Sequence, residues 1–162
     1  MSPNPNIYGN DWERAVDKPP FGVQAASLGK AAGATHLGAG LYEIAPGRAN
    51  LPYHAHYGNE ELIVVIKGTP SLRTPAGTRQ LAEGEVVSCP MGHPGAHRLD
   101  NTTAQPARVL IVSTKHHADV IDYPDSKKVA AQSGEWGHPD SLGYMFSTEH
   151  QAGYFDGETD AP

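Results

Sequence analysis

Turn signals recur about every 8–12 residues along most of this chain, and that rhythm constrains its fold more than any other feature. Glycine and proline supply it: 18 and 14 of 162 residues, about 20% against a usual share of about 12%. Between these breaks lie short runs suited to strands, at 21–28, 36–45, 53–56, 61–66, 71–74, 79–82, 85–89, 96–100 and 107–114. The run ELIVVI at 61–66 is the clearest, β-branched and closed by Lys67-Gly68. Pro46-Gly47 stops the strand before it, and Pro75-Ala76-Gly77 separates two later ones. No stretch keeps a 3.6-residue period over three turns, although 119–131 has room for a helical turn or two. The expected class is therefore all-β, a sandwich or barrel.

A length of 162 residues suits one domain with a real core. Residues 1–20 read as an irregular arm ending in Lys18-Pro19-Pro20, which cannot open a regular ladder. Residues 21–115 read as the barrel and 116–162 as a C-terminal extension. The extension holds Trp136, Tyr144, Phe146, Tyr154 and Phe155, five of twelve aromatics, so most of it is expected to pack on the barrel or on a partner subunit. Twelve basic against 18 acidic residues give a formal net charge of −6, which argues against a nucleic-acid partner or an anionic membrane surface. No run of about 18 apolar residues exists, and Met1 to Asn10 lacks the apolar region of a secretory signal. A single cysteine, Cys89, cannot form an internal disulfide. The expected location is the cytoplasm.

Nine histidines carry the chemistry. His54 and His56 stand two apart; on a strand such positions face one side, roughly 6.5 Å apart at Cα, and two imidazoles can converge on one ion. Glu61 opens the ELIVVI strand, so alternation puts it on the face of Ile63 and Val65, with Glu60 turned to solvent. A carboxylate pointing into an apolar interior needs a charge partner, which a metal dication supplies. His97 lies on a later strand, after the turn-rich 90–96. Imidazole with carboxylate suits one divalent transition metal, Zn, Mn, Fe, Ni or Co, and leaves coordination positions open for water or substrate.

These residues resemble a known family. The pattern Gly47 … His54-x-His56-x4-Glu61-x6-Gly68 is similar to the first motif of the cupin superfamily, with one extra residue before His54. Gly84-x5-Pro90-x-Gly92 … His97-x3-Asn101 is similar to the second, with two extra residues before His97. The resemblance covers about 25–115, and the 15 residues between the motifs are as few as in small single-domain microbial cupins. It implies a double-stranded β-helix, a jelly-roll barrel. It also implies an interior metal held by His54, His56, Glu61 and His97, and often a homodimer.

It does not imply one reaction. The leading expectation is a metal-dependent isomerase acting on a sugar or sugar phosphate, with Glu61 as proton shuttle. The alternatives are an Fe-dependent dioxygenase and a non-enzymatic metal- or small-molecule-binding sensor. A small-molecule ligand is the expected partner. Arg48, Lys67, Arg73, Arg79 and Arg98 are scattered, so no phosphate-binding cluster is visible. His93 reads as a loop residue, Cys89 as a small apolar one, and His36, His116, His117, His138 and His150 as surface or structural.

Overall fold

The structure is a computed structural model describing residues 4–134 and 139–158. In chain order its strands are β1 (Arg14–Lys18), β2 (Phe21–Ser27), β3 (Leu37–Ile44), β4 (Arg48–Ala49), β5 (Ala55–His56), β6 (Glu61–Lys67), β7 (Ser71–Thr74), β8 (Gly77–Gln80), β9 (Val86–Cys89), β10 (Arg98–Asn101), β11 (Ala107–Thr114), β12 (Ala118–Tyr123), β13 (Lys128–Ser133) and β14 (Leu142–Ser147). One short helix, α1 (Leu28–Ala31), follows β2.

Ten strands form one sheet in the order β8-β7-β10-β4-β2-β3-β11-β6-β9, with β1 paired to β2. Leu72 of β7, Ile44 of β3 and Cys89 of β9 come from the two ends and the middle of that order, yet share one buried cluster with Ile63, Val65, Leu99 and Val109. A flat sheet cannot bring its ends together, so this one curls around its core as a double-stranded β-helix does. Alternation fixes which side chains enter. Ile63 and Val65 are buried while Leu62 is exposed, and β11 answers with Val109 opposite Val65 and Ile111 opposite Ile63. The same register sets Glu61 opposite Cys89 on β9 and Ser113 on β11, at the open end of the apolar stripe.

The arm at 1–20 is not irregular. Residues 14–18 form β1, antiparallel to β2 with Lys18 opposite Phe21. Pro19 and Pro20 occupy the turn itself, where no ladder N–H is required. Before it, Arg108 Nη1 donates to the carbonyls of Ile7 and Gly9 at 3.2 and 3.1 Å, and Trp12 lies under its guanidinium, so the arm is strapped to the barrel wall.

The extension also differs from expectation. Residues 119–131 hold no α-helical turn; they form most of β12 and β13, joined through a 3-10 turn at Pro124–Ser126. These pair as β14-β13-β12-β5, so the second sheet grows from the strand bearing His56. Its inner face packs Ile121 and Ala130. Its outer face puts Val120, Ala131 and Tyr144 in register, beside Leu142 and Phe146. Tyr144 and Phe146 stay half exposed on β14, every residue of which is exposed, and Tyr154 and Phe155, in the turn beyond it, are more exposed still. The extension is therefore attached through β12 and β13 and not through these aromatics. Trp136 and His138 lie outside the described residues.

Candidate metal centre

Two backbone hydrogen bonds clamp the segments carrying His54 and His97: His97 N donates to His54 O at 2.8 Å and His54 N to His97 O at 3.2 Å. His56 follows on β5, and Glu61 opens β6. The imidazole centroids of His54 and His56 lie 5.0 Å apart, and those of His54 and His97 4.7 Å apart. The i, i+2 spacing thus gathers the first two rings as expected, and the tertiary fold delivers the third.

Each of these three rings has its Nδ1 against an acceptor. His54 Nδ1 donates to the Pro52 carbonyl at 2.8 Å and His97 Nδ1 to the Gly95 carbonyl at 2.9 Å. His56 Nδ1 donates to Asp119 Oδ2 at 2.6 Å. With Nδ1 carrying the proton, Nε2 offers a lone pair. Gly95 is required at its position, because a Cβ there would overlap the Pro90 carbonyl. Its close approach to that backbone sets the carbonyl that orients His97.

The Nε2 atoms of His97 and His56 lie 3.2 and 3.8 Å from Glu61 Oε2. Glu61 Oε2 and His97 Nε2 are buried without a hydrogen-bond partner. The ligand atoms of His54, His56 and Glu61 lie within 4.8 Å of one another. Two ligands bonded at about 2.1 Å to one ion stand roughly 3.0–3.4 Å apart, so the cluster approaches the edge length of a coordination shell. Buried lone pairs converging with no donor between them are the chemistry a cation satisfies. His54, His56 and Glu61 could therefore bind a metal, with His97 beside them.

Electrostatics suit this donor set. Burial, and then the neighbouring His97 and His56, push His54 down to about 4, keeping it neutral and able to ligate. Burial raises the Glu61 carboxyl, but His97 and His56 outweigh it and hold the group below its ordinary value. Burial lowers His97, yet Cys89 and Glu61 beside it raise it to about 10.

A cavity of about 400 Å³ opens over Glu61 and His56. Arg14, Lys30 and Lys115 stand exposed around it, with His116 and His117. Glu61 and Asp119 also line it, both turned to histidines. None of Arg48, Lys67, Arg73, Arg79 and Arg98 lines this cavity. The sequence reading missed Arg14, Lys30 and Lys115 because they come from β1, α1 and the loop after β11, far apart in the chain. His93 stays exposed in the turn before His97, Cys89 is buried in the core, and Tyr53 packs under the Arg73 guanidinium at 4.0 Å. Tyr123 of β12 stacks on His54 with centroids 6.0 Å apart. Neither Tyr123 nor Asp119 carries a local signal, since each acquires its role only when β12 pairs with β5.

Residues 40–113 match the family model of the cupin domain. The fold superposes on a proposed sugar phosphate isomerase from Acidithiobacillus ferrooxidans with a TM-score of 0.77 at 26% identity, over 90% of each chain. A sugar phosphate isomerase of the cupin superfamily from Silicibacter pomeroyi superposes at TM-score 0.71 and 24% identity, over 83% of this chain and 82% of that one. The polyketide cyclase RemF from Streptomyces resistomycificus reaches 0.50 at 26% identity, over 57% of this chain and 64% of its own. No curated protein matches the sequence.

Proposed function

On the premise that this chain carries a cupin domain, as its match over residues 40–113 shows, we propose that it is a metal-dependent isomerase of a phosphorylated sugar or similar hydroxy-carbonyl compound. The observation that carries the reading is the cavity itself, lined by His56 and Glu61 of the histidine–glutamate cluster and rimmed by Arg14, Lys30 and Lys115. The similarity to the Acidithiobacillus protein along 90% of both chains supports it.

His54, His56, Glu61 and His97 are proposed to hold one divalent transition metal. When bound, such an ion supplies a Lewis acid that polarises a substrate carbonyl. Glu61 is proposed to take a proton from the adjacent carbon and return it through the carboxylate oxygen that does not hold the metal. Arg14, Lys30 and Lys115 bind the far, anionic end and hold the reacting carbons over Glu61. The pocket of about 400 Å³ suits a small molecule. A homodimer is also proposed, supported by the exposed apolar face formed by Val120, Leu142, Tyr144 and Phe146.

Elemental analysis of the purified full chain, followed by aldose–ketose interconversion assays on phosphorylated and unphosphorylated sugars, tests the reading. About one equivalent of metal and turnover confined to phosphorylated substrates is expected. Iron with O₂ uptake, and no isomerisation, would overturn it in favour of a dioxygenase.

A further inference from the structure

His56 differs from the other two histidines in what holds its ring. His54 and His97 donate Nδ1–H to carbonyls two residues before them, contacts that their own turns provide. His56 instead donates to Asp119, 63 residues away on β12 and beyond the matched region 40–113. The backbone places Asp119 there. Ile121 lies opposite His56 and Asp122 opposite Ala55, and Tyr57 N donates to Val120 O at 2.9 Å. Continuing that antiparallel register brings Asp119 beside Gly58. A Cβ on residue 58 would lie 2.5 Å from the Ala118 carbonyl, so glycine is needed for the close approach.

The carboxylate is itself fixed from the far side. Gly58 N donates to Oδ1 at 2.8 Å and Asn59 Nδ2 to Oδ2 at 2.9 Å. Asn59 is held in turn, its Oδ1 accepting from Thr114 Oγ1 at 3.2 Å and His116 N at 2.8 Å. Two N–H groups already aimed at the carboxylate make it an acceptor, so the proton between it and His56 belongs to Nδ1. The lone pair of His56 is thereby placed on Nε2, on the side facing Glu61.

We propose that Asp119 is a positioning residue, through which the C-terminal extension fixes the tautomer and ring orientation that His56 needs to ligate a metal. This rests on the metal site proposed above. Carboxylates behind metal-bound imidazoles raise metal affinity by about 10–100-fold, and here that group is contributed by a strand outside the cupin motifs.

A merely structural Asp119 would pin β12 to the Gly58–Asn59 loop without setting the His56 tautomer. The His56 tautomer separates the two roles: Asp119→Ala removes the acceptor, whereas the single oxygen of Asp119→Asn, at the Oδ2 position, can still accept from His56 Nδ1 and Asn59 Nδ2. The full-length wild type, Asp119→Asn and Asp119→Ala are titrated with Co²⁺, followed by its visible absorption. Long-range ¹H–¹⁵N correlation spectra of the metal-free proteins then report which His56 nitrogen carries the proton when the ring is neutral. Expected are a Co²⁺ affinity weakened about 10–100-fold in Asp119→Ala and less in Asp119→Asn, and a His56 proton on Nδ1 in wild type that loses this preference in Asp119→Ala. An Asp119→Ala affinity within about twofold of wild type, or a wild-type His56 protonated on Nε2, overturns the proposal. A wild type that takes up no Co²⁺ overturns the metal site instead, and the nitrogen spectra still decide the tautomer assignment.

Discussion

Replacing His54 and His56 together by alanine tests the metal centre through its coupling to folding. An ion that binds the folded chain and not the unfolded one stabilises it by RT ln(1 + [L]/Kd), about 2.7 kcal/mol at one hundred times Kd. For a chain of this size each kcal/mol moves the melting temperature by about 2–4 °C, so saturating metal raises it by about 5–11 °C. The double variant removes two of the three grouped ligands, and with them that shift. It also alters the metal-free protein: His54 is buried, and losing its hydrogen bond leaves the Pro52 carbonyl unpaired, a destabilisation of about 1–3 kcal/mol. Each protein is therefore compared with itself. Both are stripped with chelator, then scanned by differential calorimetry with and without Mn²⁺, Fe²⁺, Co²⁺, Ni²⁺ or Zn²⁺, under anaerobic conditions for iron. A shift in wild type that vanishes in the variant is expected. A shift of equal size in both places the ion elsewhere, and no shift in wild type with any of the five refutes the argument from converging lone pairs.

Four further outcomes follow from packing and pairing. Gly95→Ala should destabilise the fold by about 2 kcal/mol or more in urea and weaken metal binding together, since the added Cβ meets the Pro90 carbonyl and displaces the loop orienting His97; unchanged stability would contradict that close approach. Leu99→Ala, at a fully buried site in the barrel core, should cost about 2–5 kcal/mol by equilibrium unfolding, whereas a double-mutant cycle on the largely exposed Arg73–Asp125 pair should return at most about 1 kcal/mol despite its two-pronged geometry. Truncation after Lys115 removes β12 with Asp119 and uncovers Ala55, so it should aggregate or bind metal more weakly; a soluble product with wild-type affinity would deny the extension any part in the site.

The barrel was legible because its information is local. Alternation in ELIVVI decides that Ile63 and Val65 go inward and carries Glu61 with them. The i, i+2 spacing of His54 and His56 decides that their rings share a side. Gly-Pro punctuation marks where each strand stops. The arm was misread for a local reason too: two prolines forbid a ladder where they stand, but not a hairpin whose turn they form. What lay outside local reach depends on pairing between distant segments. Which residues of the extension face the barrel depends on the β12–β13–β14 register, and composition does not carry it.

By itself, then, the sequence determined an all-β barrel and two imidazoles with a carboxylate on a common interior, since period-2 geometry turns residue spacing directly into facing. Only the tertiary structure decided that Asp119 stands behind His56, that Tyr123 covers His54, and that Arg14, Lys30 and Lys115 ring one cavity in a chain of net negative charge. Those neighbours come from segments tens of residues apart, and strand register, which no single segment encodes, is the physical quantity that brings them together.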